Sequence, residues 1–153
     1  MTDKEARRSK WSAEPVTEGE WAGWYRRAAG NSFESLTGPF YWRTDVPSGL
    51  RTAFRAEPRH MNGGGFMHGG CIMTFADFAL FALARPVLKG LYGVTATLNG
   101  EFMGSVYTGD LVECEGEVVK EGGSLVFVRG LVTTSGNPVL SFSGVIKKIK
   151  PRG

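Results

Sequence analysis

Two features of this 153-residue chain place chemically useful residue types where ordinary packing has little need of them. Asp77 lies inside the apolar run 71–84, and its neighbours at helical spacing, Met73, Thr74, Leu80 and Phe81, include no cation. An unpaired buried carboxylate costs several kcal/mol unless it gains hydrogen bonds or a proton. Asp77 is therefore either capped from elsewhere in the chain, by a backbone amide or a distant lysine, or kept for a chemical purpose. The second feature is His68-Gly69-Gly70, directly before the same run. The first turn of a helix presents free N–H groups and partial positive charge, and glycine lets a ligand oxygen come close, so the Gly69 amide suits an oxyanion. The plainer reading is a tight loop whose glycines serve only backbone conformation.

Other chemistries find less support. The two histidines, His60 and His68, could be combined with Asp77 or Cys71, but nothing has paired zinc spacing, and no metal site is expected. There is no Gly-x-Ser-x-Gly elbow. The glycine-dense loop 59–70 lacks a following Lys-Ser/Thr, and His68 stands where a dinucleotide fingerprint starting at Gly63 would need glycine.

The elements that position these residues follow from periodicity and punctuation. Residues 17–29 carry Trp21, Trp24 and Tyr25 at helical spacing behind Glu18 and Glu20, which predicts a short N-terminal helix. Residues 40–45 and 50–56 read as strands joined at Pro47-Ser48-Gly49. Residues 71–83 read as a helix, rich in Ala, Leu and Met, with no Gly or Pro before Pro86. It is apolar almost all round and must be covered on most sides. Residues 93–102, 110–120, 124–134 and 139–149 are β-rich and separated by turn signals, giving an α+β domain in which one antiparallel sheet wraps one helix. The expected organisation is an extension over 1–30 and a main domain over 31–153. Gly69 and Asp77 are eight residues apart, about 12 Å along a helix, so they cannot touch one carbonyl. Joint action on one bond would require a symmetric dimer, in which the helix start of one subunit meets the aspartate of the other.

Composition bounds the rest. The net charge of +3 and pI near 9.0 admit an anionic ligand, but the charges are spread without a basic stripe, and no nucleic-acid partner is expected. The basic tail with Lys147, Lys148, Lys150 and Arg152 reads as a solvated terminus. No signal-peptide pattern is seen, and the apolar run falls short of the roughly 20 residues of a bilayer span, so no membrane association is expected. Two cysteines, Cys71 and Cys114, suit a reducing cytoplasm.

The pattern Asn62-x₅-His68-Gly69-Gly70-x₆-Asp77-x-Ala79, followed by four strands, resembles the hotdog-fold thioesterases of the phenylacetic-acid-pathway and acyl-CoA thioesterase type, over roughly residues 33–149. The resemblance implies a hotdog fold, an antiparallel sheet around a long central helix, that hydrolyses acyl- or aryl-CoA to free acid and coenzyme A without a cofactor. It assigns Asp77 as base or nucleophile, Gly69 as the oxyanion donor across a dimer interface, Asn62 as a water- or thioester-placing group and His68 as an orienting group near the leaving sulfur. Thr95 is the counterpart of a hydroxyl that supports the water, with Thr97 a weaker alternative. Gly70, Phe78 and Phe81 are expected at the substrate, and Lys147, Lys148 and Arg129 are candidates for the coenzyme A phosphates. A homodimer assembling to a homotetramer is implied. The competing readings are a hotdog enoyl-thioester hydratase or dehydratase, which would need a His-Asp or His-Glu pair, and a non-catalytic acyl-CoA binding module.

Overall fold

The computed structural model describes residues 12–150. In chain order the elements are β1 (Ala13–Pro15), β2 (Tyr25–Arg27), α1 (Phe33–Thr37), β3 (Tyr41–Arg43), β4 (Arg51–Arg55), α2 (Gly69–Leu88), β5 (Tyr92–Phe102), β6 (Leu111–Glu121), β7 (Leu125–Thr134) and β8 (Asn137–Ile149). Single 3₁₀ turns occur at Gly19–Trp21 and Pro58–His60. The strands form one sheet in the order β1-β2-β3-β4-β6-β7-β8-β5, with every neighbouring pair antiparallel. This is the hotdog arrangement, with α2 as the long helix that the sheet wraps.

The apolar run makes α2 because its straight-chain and alanine residues cost little in a helix, and because the sheet buries its sides. Ile72, Phe75, Ala76, Phe78, Ala79, Leu80, Leu83, Ala84 and Leu88 are all buried. His68 caps the start: its Nδ1 accepts the Gly70 N–H at 2.8 Å. The helix runs past Pro86 to Leu88, the proline falling in the last turn, and ends where Lys89 and Gly90 turn left-handed with φ of 50° and 77°. At 20 residues α2 has the length and hydropathy of a bilayer span, but more than half of it is buried inside this sheet.

The expected helix over residues 17–29 is not formed. Gly19 and Gly23 take φ of 75° and 88°, outside the helical region, and they fold the segment into a hairpin instead. The Val16 N–H donates to the Trp24 carbonyl and the Gly23 N–H to the Val16 carbonyl, so β1 and β2 extend the sheet beyond β3. The helical spacing of the aromatics has a different cause. Trp21 stacks on Tyr41 at 4.1 Å, Trp24 meets Trp21 edge-on, and Tyr25 lies over Trp42 on the neighbouring strand.

Glycines on the strands make room for α2. A Cβ built on Gly144 of β8 would lie 2.8 Å from Leu80 Cδ1 and 3.0 Å from the Thr97 carbonyl oxygen. Both neighbours are held in place, Leu80 being fully buried. Gly144→Ala is expected to lower stability by about 1–3 kcal/mol through overpacking. Urea denaturation would show a lower midpoint with an unchanged slope.

Candidate active site

The sheet leaves one stripe of α2 uncovered. Gly70, Thr74, Asp77 and Phe81, spaced by four, three and four residues, share a helical face and line a groove of about 350 Å³. Asp77 is half-buried in this stripe. Its Oδ1 accepts a hydrogen bond of 2.6 Å from Thr95 Oγ on β5. Oδ2 accepts none among the described residues.

A β-bulge decides which threonine reaches the aspartate. Thr95 pairs with Ile146, whose side chain is buried beneath the helix, whereas the register shift at Ala96 pairs Thr97 with Val145 on the opposite face. The bulge thus separates the two threonines onto different faces of β5, and only Thr95 meets Asp77.

The other wall of the groove comes from the N-terminal part of the chain. Arg27 of β2 and Phe33 and Glu34 of α1 face the helix stripe. Arg27 and Glu34 form an ion pair at 3.0 Å, with side chains 23% and 29% exposed. Burial pushes the Glu34 carboxyl above its ordinary range; the Arg27 charge opposes this and the Asp77 charge adds to it. Burial likewise lowers Arg27, while Glu34 supports its charge, Arg85 works against it and Asp77 supports it. These four groups therefore share one electrostatic neighbourhood.

The position of α1 is set by the 3₁₀ turn at Pro58–His60. Arg59 donates to the carbonyls of Leu36 and Gly38, and His60 Nε2–H donates to the Thr37 carbonyl at 2.7 Å. The His60 Nδ1 accepts the Glu57 N–H at 3.0 Å, so both ring nitrogens are engaged by backbone. No group of three or more His, Cys, Asp or Glu side chains that could hold a metal occurs among the described residues.

The remaining expected residues lie apart from Asp77. Asn62 Oδ1 accepts the N–H groups of Gly64 and Phe66 at 2.8 and 3.4 Å, which ties the glycine loop. His68 takes up the Gly70 amide, whereas the Gly69 N–H has no acceptor among the described residues. Gly69 lies against Phe102 at the end of β5. Arg129 pairs with Glu117 at 2.7 Å, and Lys148 reaches Glu121 and the Gly122 carbonyl at 3.1 and 3.2 Å. Lys147 opposes Val94, one residue out of phase with Thr95, so it points to the far face of the sheet. None of these three lysine and arginine residues lines the groove, whose cation among the described residues is Arg27; Arg85 lines the adjoining pocket with Trp42 and Phe81. Sequence reading missed both. Arg85 was accessible through its spacing, since Asp77, Phe81 and Arg85 follow at i, i+4 and i+8. Arg27 and Glu34 gave no local signal, because only the hairpin and the α1 clamp bring them over α2.

The sheet wrapped around one long helix, with a carboxylate on the helix's open face, is the hotdog fold of the thioesterase class. The sequence comparison supplies the family. The thioesterase superfamily model matches residues 64–141, and this chain belongs to that superfamily. A Pseudomonas aeruginosa protein described as an esterase is 35% identical over 111 residues, which is 72% of this chain and 83% of that protein. A Streptococcus pneumoniae protein described as a hypothetical thioesterase, solved with coenzyme A, superposes with a TM-score of 0.62 at 20% identity, over 68% of this chain and 80% of that one. A phenylacetic acid degradation protein of Thermus thermophilus does so with a TM-score of 0.65 at 24% identity, over 76% and 98%.

Two outcomes test the site. Thr95→Val should lower the rate of thioester hydrolysis about tenfold with little loss of stability, while Thr95→Ser stays within about threefold of wild type, as expected for one hydrogen bond. The raised Glu34 carboxyl means that the folded state holds this proton more tightly than the unfolded chain. Its contribution to stability is present at low pH and is lost as pH rises above the ordinary value of 4.5. Wild type should therefore lose stability relative to Glu34→Gln as pH is raised from about 4 toward neutrality, read from urea midpoints across the pH series.

Proposed function

We propose that this chain hydrolyses acyl-coenzyme A thioesters to the free acid and coenzyme A, with Asp77 as the reacting carboxylate. The observation that carries this reading is the Asp77–Thr95 pair on the uncovered stripe of α2, where an acyl thioester can lie along the groove. Asp77 either takes a proton from water as its oxygen adds to the carbonyl carbon, or adds to that carbon itself to give an anhydride that water then opens. In both routes the C–S bond breaks, the sulfur leaves as thiolate and a proton returns to it. Label found in the Asp77 carboxyl after a single turnover in heavy-oxygen water identifies the second route, with water opening the anhydride at the Asp77 carbon.

The oxyanion donor proposed is the free N–H of Gly69, acting on a substrate bound at the Asp77 of the partner. The fold supports this geometry. β5 is the last strand of the sheet among the described residues, and it exposes Tyr92, Val94 and Phe102 at 39%, 46% and 53%. Thr95, beside Asp77, and Phe102, beside Gly69, stand toward opposite ends of this strand. Antiparallel pairing of two β5 edges about a two-fold axis would set the Thr95 end of one copy against the Phe102 end of the other. That arrangement brings each Asp77 toward the partner's Gly69. The hydratase reading gains nothing comparable, since His60 is held by backbone and His68 caps the helix nine residues from Asp77.

Thiol detection of released coenzyme A suits this protein, because burial pushes the Cys114 thiol up to about 12 and raises that of Cys71. Asp77→Asn should lower turnover of acyl-CoA substrates by about a hundredfold or more. Gly69→Pro removes only the amide donor at a helix position that proline favours, and should cost about a hundredfold in kcat. Mixing the two inactive proteins after dissociation should restore about a quarter of wild-type activity, because random pairing rebuilds one intact shared site in each heterodimer. Absence of recovery would show that Asp77 and Gly69 act within one subunit or not together.

A further inference from the structure

Beyond Asp77 the groove continues into a chamber of about 300 Å³ against the C-terminal half of α2. The two spaces share Arg27, Phe78 and Phe81. The chamber's other walls include Trp42, Tyr92 and Arg85. Its volume is at the small end of ligand pockets, which suits an acyl group of modest size. A pocket for a plain hydrocarbon chain needs no cation, yet this one has two. Arg27 lies with its Cζ 5.7 Å from the Phe78 ring centroid and is answered by Glu34 at 3.0 Å. Arg85 lies with its Cζ 5.6 Å from the Trp42 ring centroid. Neither a carboxylate nor a carbonyl oxygen accepts a hydrogen bond from Arg85 among the described residues. The two guanidinium groups also sense each other, Arg85 being one of the charges that lower Arg27 after burial.

We propose that the chamber selects acyl groups carrying a carboxylate at their far end, with Arg85 as the residue that reads it, so that the preferred substrates are coenzyme A monothioesters of dicarboxylic acids. This rests on the acyl-CoA hydrolase reading above. A guanidinium set over an aromatic ring with no oxygen partner among the described residues has N–H groups left for a planar carboxylate, and such charge-assisted pairs are about twice as strong as neutral ones. A methyl-ended chain in the same place strips water from the guanidinium and returns no hydrogen bond. The spacing also fits. Asp77 and Arg85 are about 12 Å apart along the helix axis, and each lines one of the two adjoining spaces, which suits a chain of adipyl length or a single aromatic ring. The plainer role of Arg85 is to complement the negative end of the helix dipole from solvent, and that role is indifferent to the acyl terminus.

The test is kcat/KM for two matched pairs, adipyl-CoA against hexanoyl-CoA and para-carboxybenzoyl-CoA against benzoyl-CoA, with wild type, Arg85→Leu and Arg85→Lys. Wild type should favour the carboxylate-ended member of at least one pair by about tenfold or more, and the pair that shows it tells whether chain or ring is the preferred spacer. Arg85→Leu should bring that preference to about unity or invert it, and Arg85→Lys should keep part of it. Each ratio is taken on one preparation, so the folded fraction cancels. Equal use of both members of both pairs by wild type overturns the proposal. So does a preference that survives Arg85→Leu, or a rise in KM by the same factor for all four substrates, as loss of a coenzyme A phosphate contact would give. In those cases hydrolysis itself still stands. Release from none of the four by folded wild type overturns the hydrolase reading and this one with it.

Discussion

The burial of one apolar helix by one curved sheet is the constraint on which the remaining structure depends. A helix of 20 residues with nine buried side chains needs cover on most of its circumference. The sheet provides it through Phe54, Val112, Val126, Leu140 and Ile146, and strand glycines let the helix sit close. A sheet that closes on a helix from one side to the other must leave a seam. Whatever stands along that seam keeps contact with solvent and ligands while lying next to the densest part of the core. Asp77 occupies the seam, which is how a carboxylate survives in the middle of an apolar run: it meets a hydroxyl at 2.6 Å on one side and open space on the other. The anomaly in the sequence and the gap in the sheet are one fact seen at two levels.

The seam is roofed by a part of the chain that looks peripheral. The β1–β2 hairpin and α1 bring Arg27, Phe33 and Glu34 across the open face of α2. Their ion pair is partly desolvated, and its two members shift in the directions that burial dictates. The chemistry-bearing stripe thus comes from a contiguous stretch of α2, while the walls that set charge and shape around it come from β2 and α1, more than 30 residues earlier in sequence. Chemistry and surroundings reside on separable lengths of chain.

Much of this was legible in the sequence, for identifiable reasons. The long strands and α2 announced themselves through β-branched runs and a helix-forming apolar stretch; the strand ends lie within two residues of the expected ones, while α2 runs five residues past the expected end at Leu83, through Pro86. Asp77 stood out because no neighbour at helical spacing could pair with it. The N-terminal helix was misread because Trp21, Trp24 and Tyr25 mimic a helical face, while Gly19 and Gly23 impose positive φ that composition alone did not reveal. The choice of Thr95 over Thr97 turned on a bulge at Ala96, a register feature with no local signature. Arg27 and Glu34 were invisible for the same reason, since their place at the groove is a product of tertiary folding.

The 3₁₀ turn at Pro58–His60 does more than finish a loop. Its Arg59 and His60 side chains hold the end of α1, and the His60 carbonyl accepts the N–H of His68, the cap of α2. The roof of the groove and the first turn of the central helix are therefore fastened to the same three residues. A displacement of α1 cannot be purely local, because it pulls on the backbone that aims the amide groups of Gly69 and Gly70. At this corner one buried histidine joins the two, so the space above Asp77 and the amides at the helix start rest on a shared set of backbone contacts.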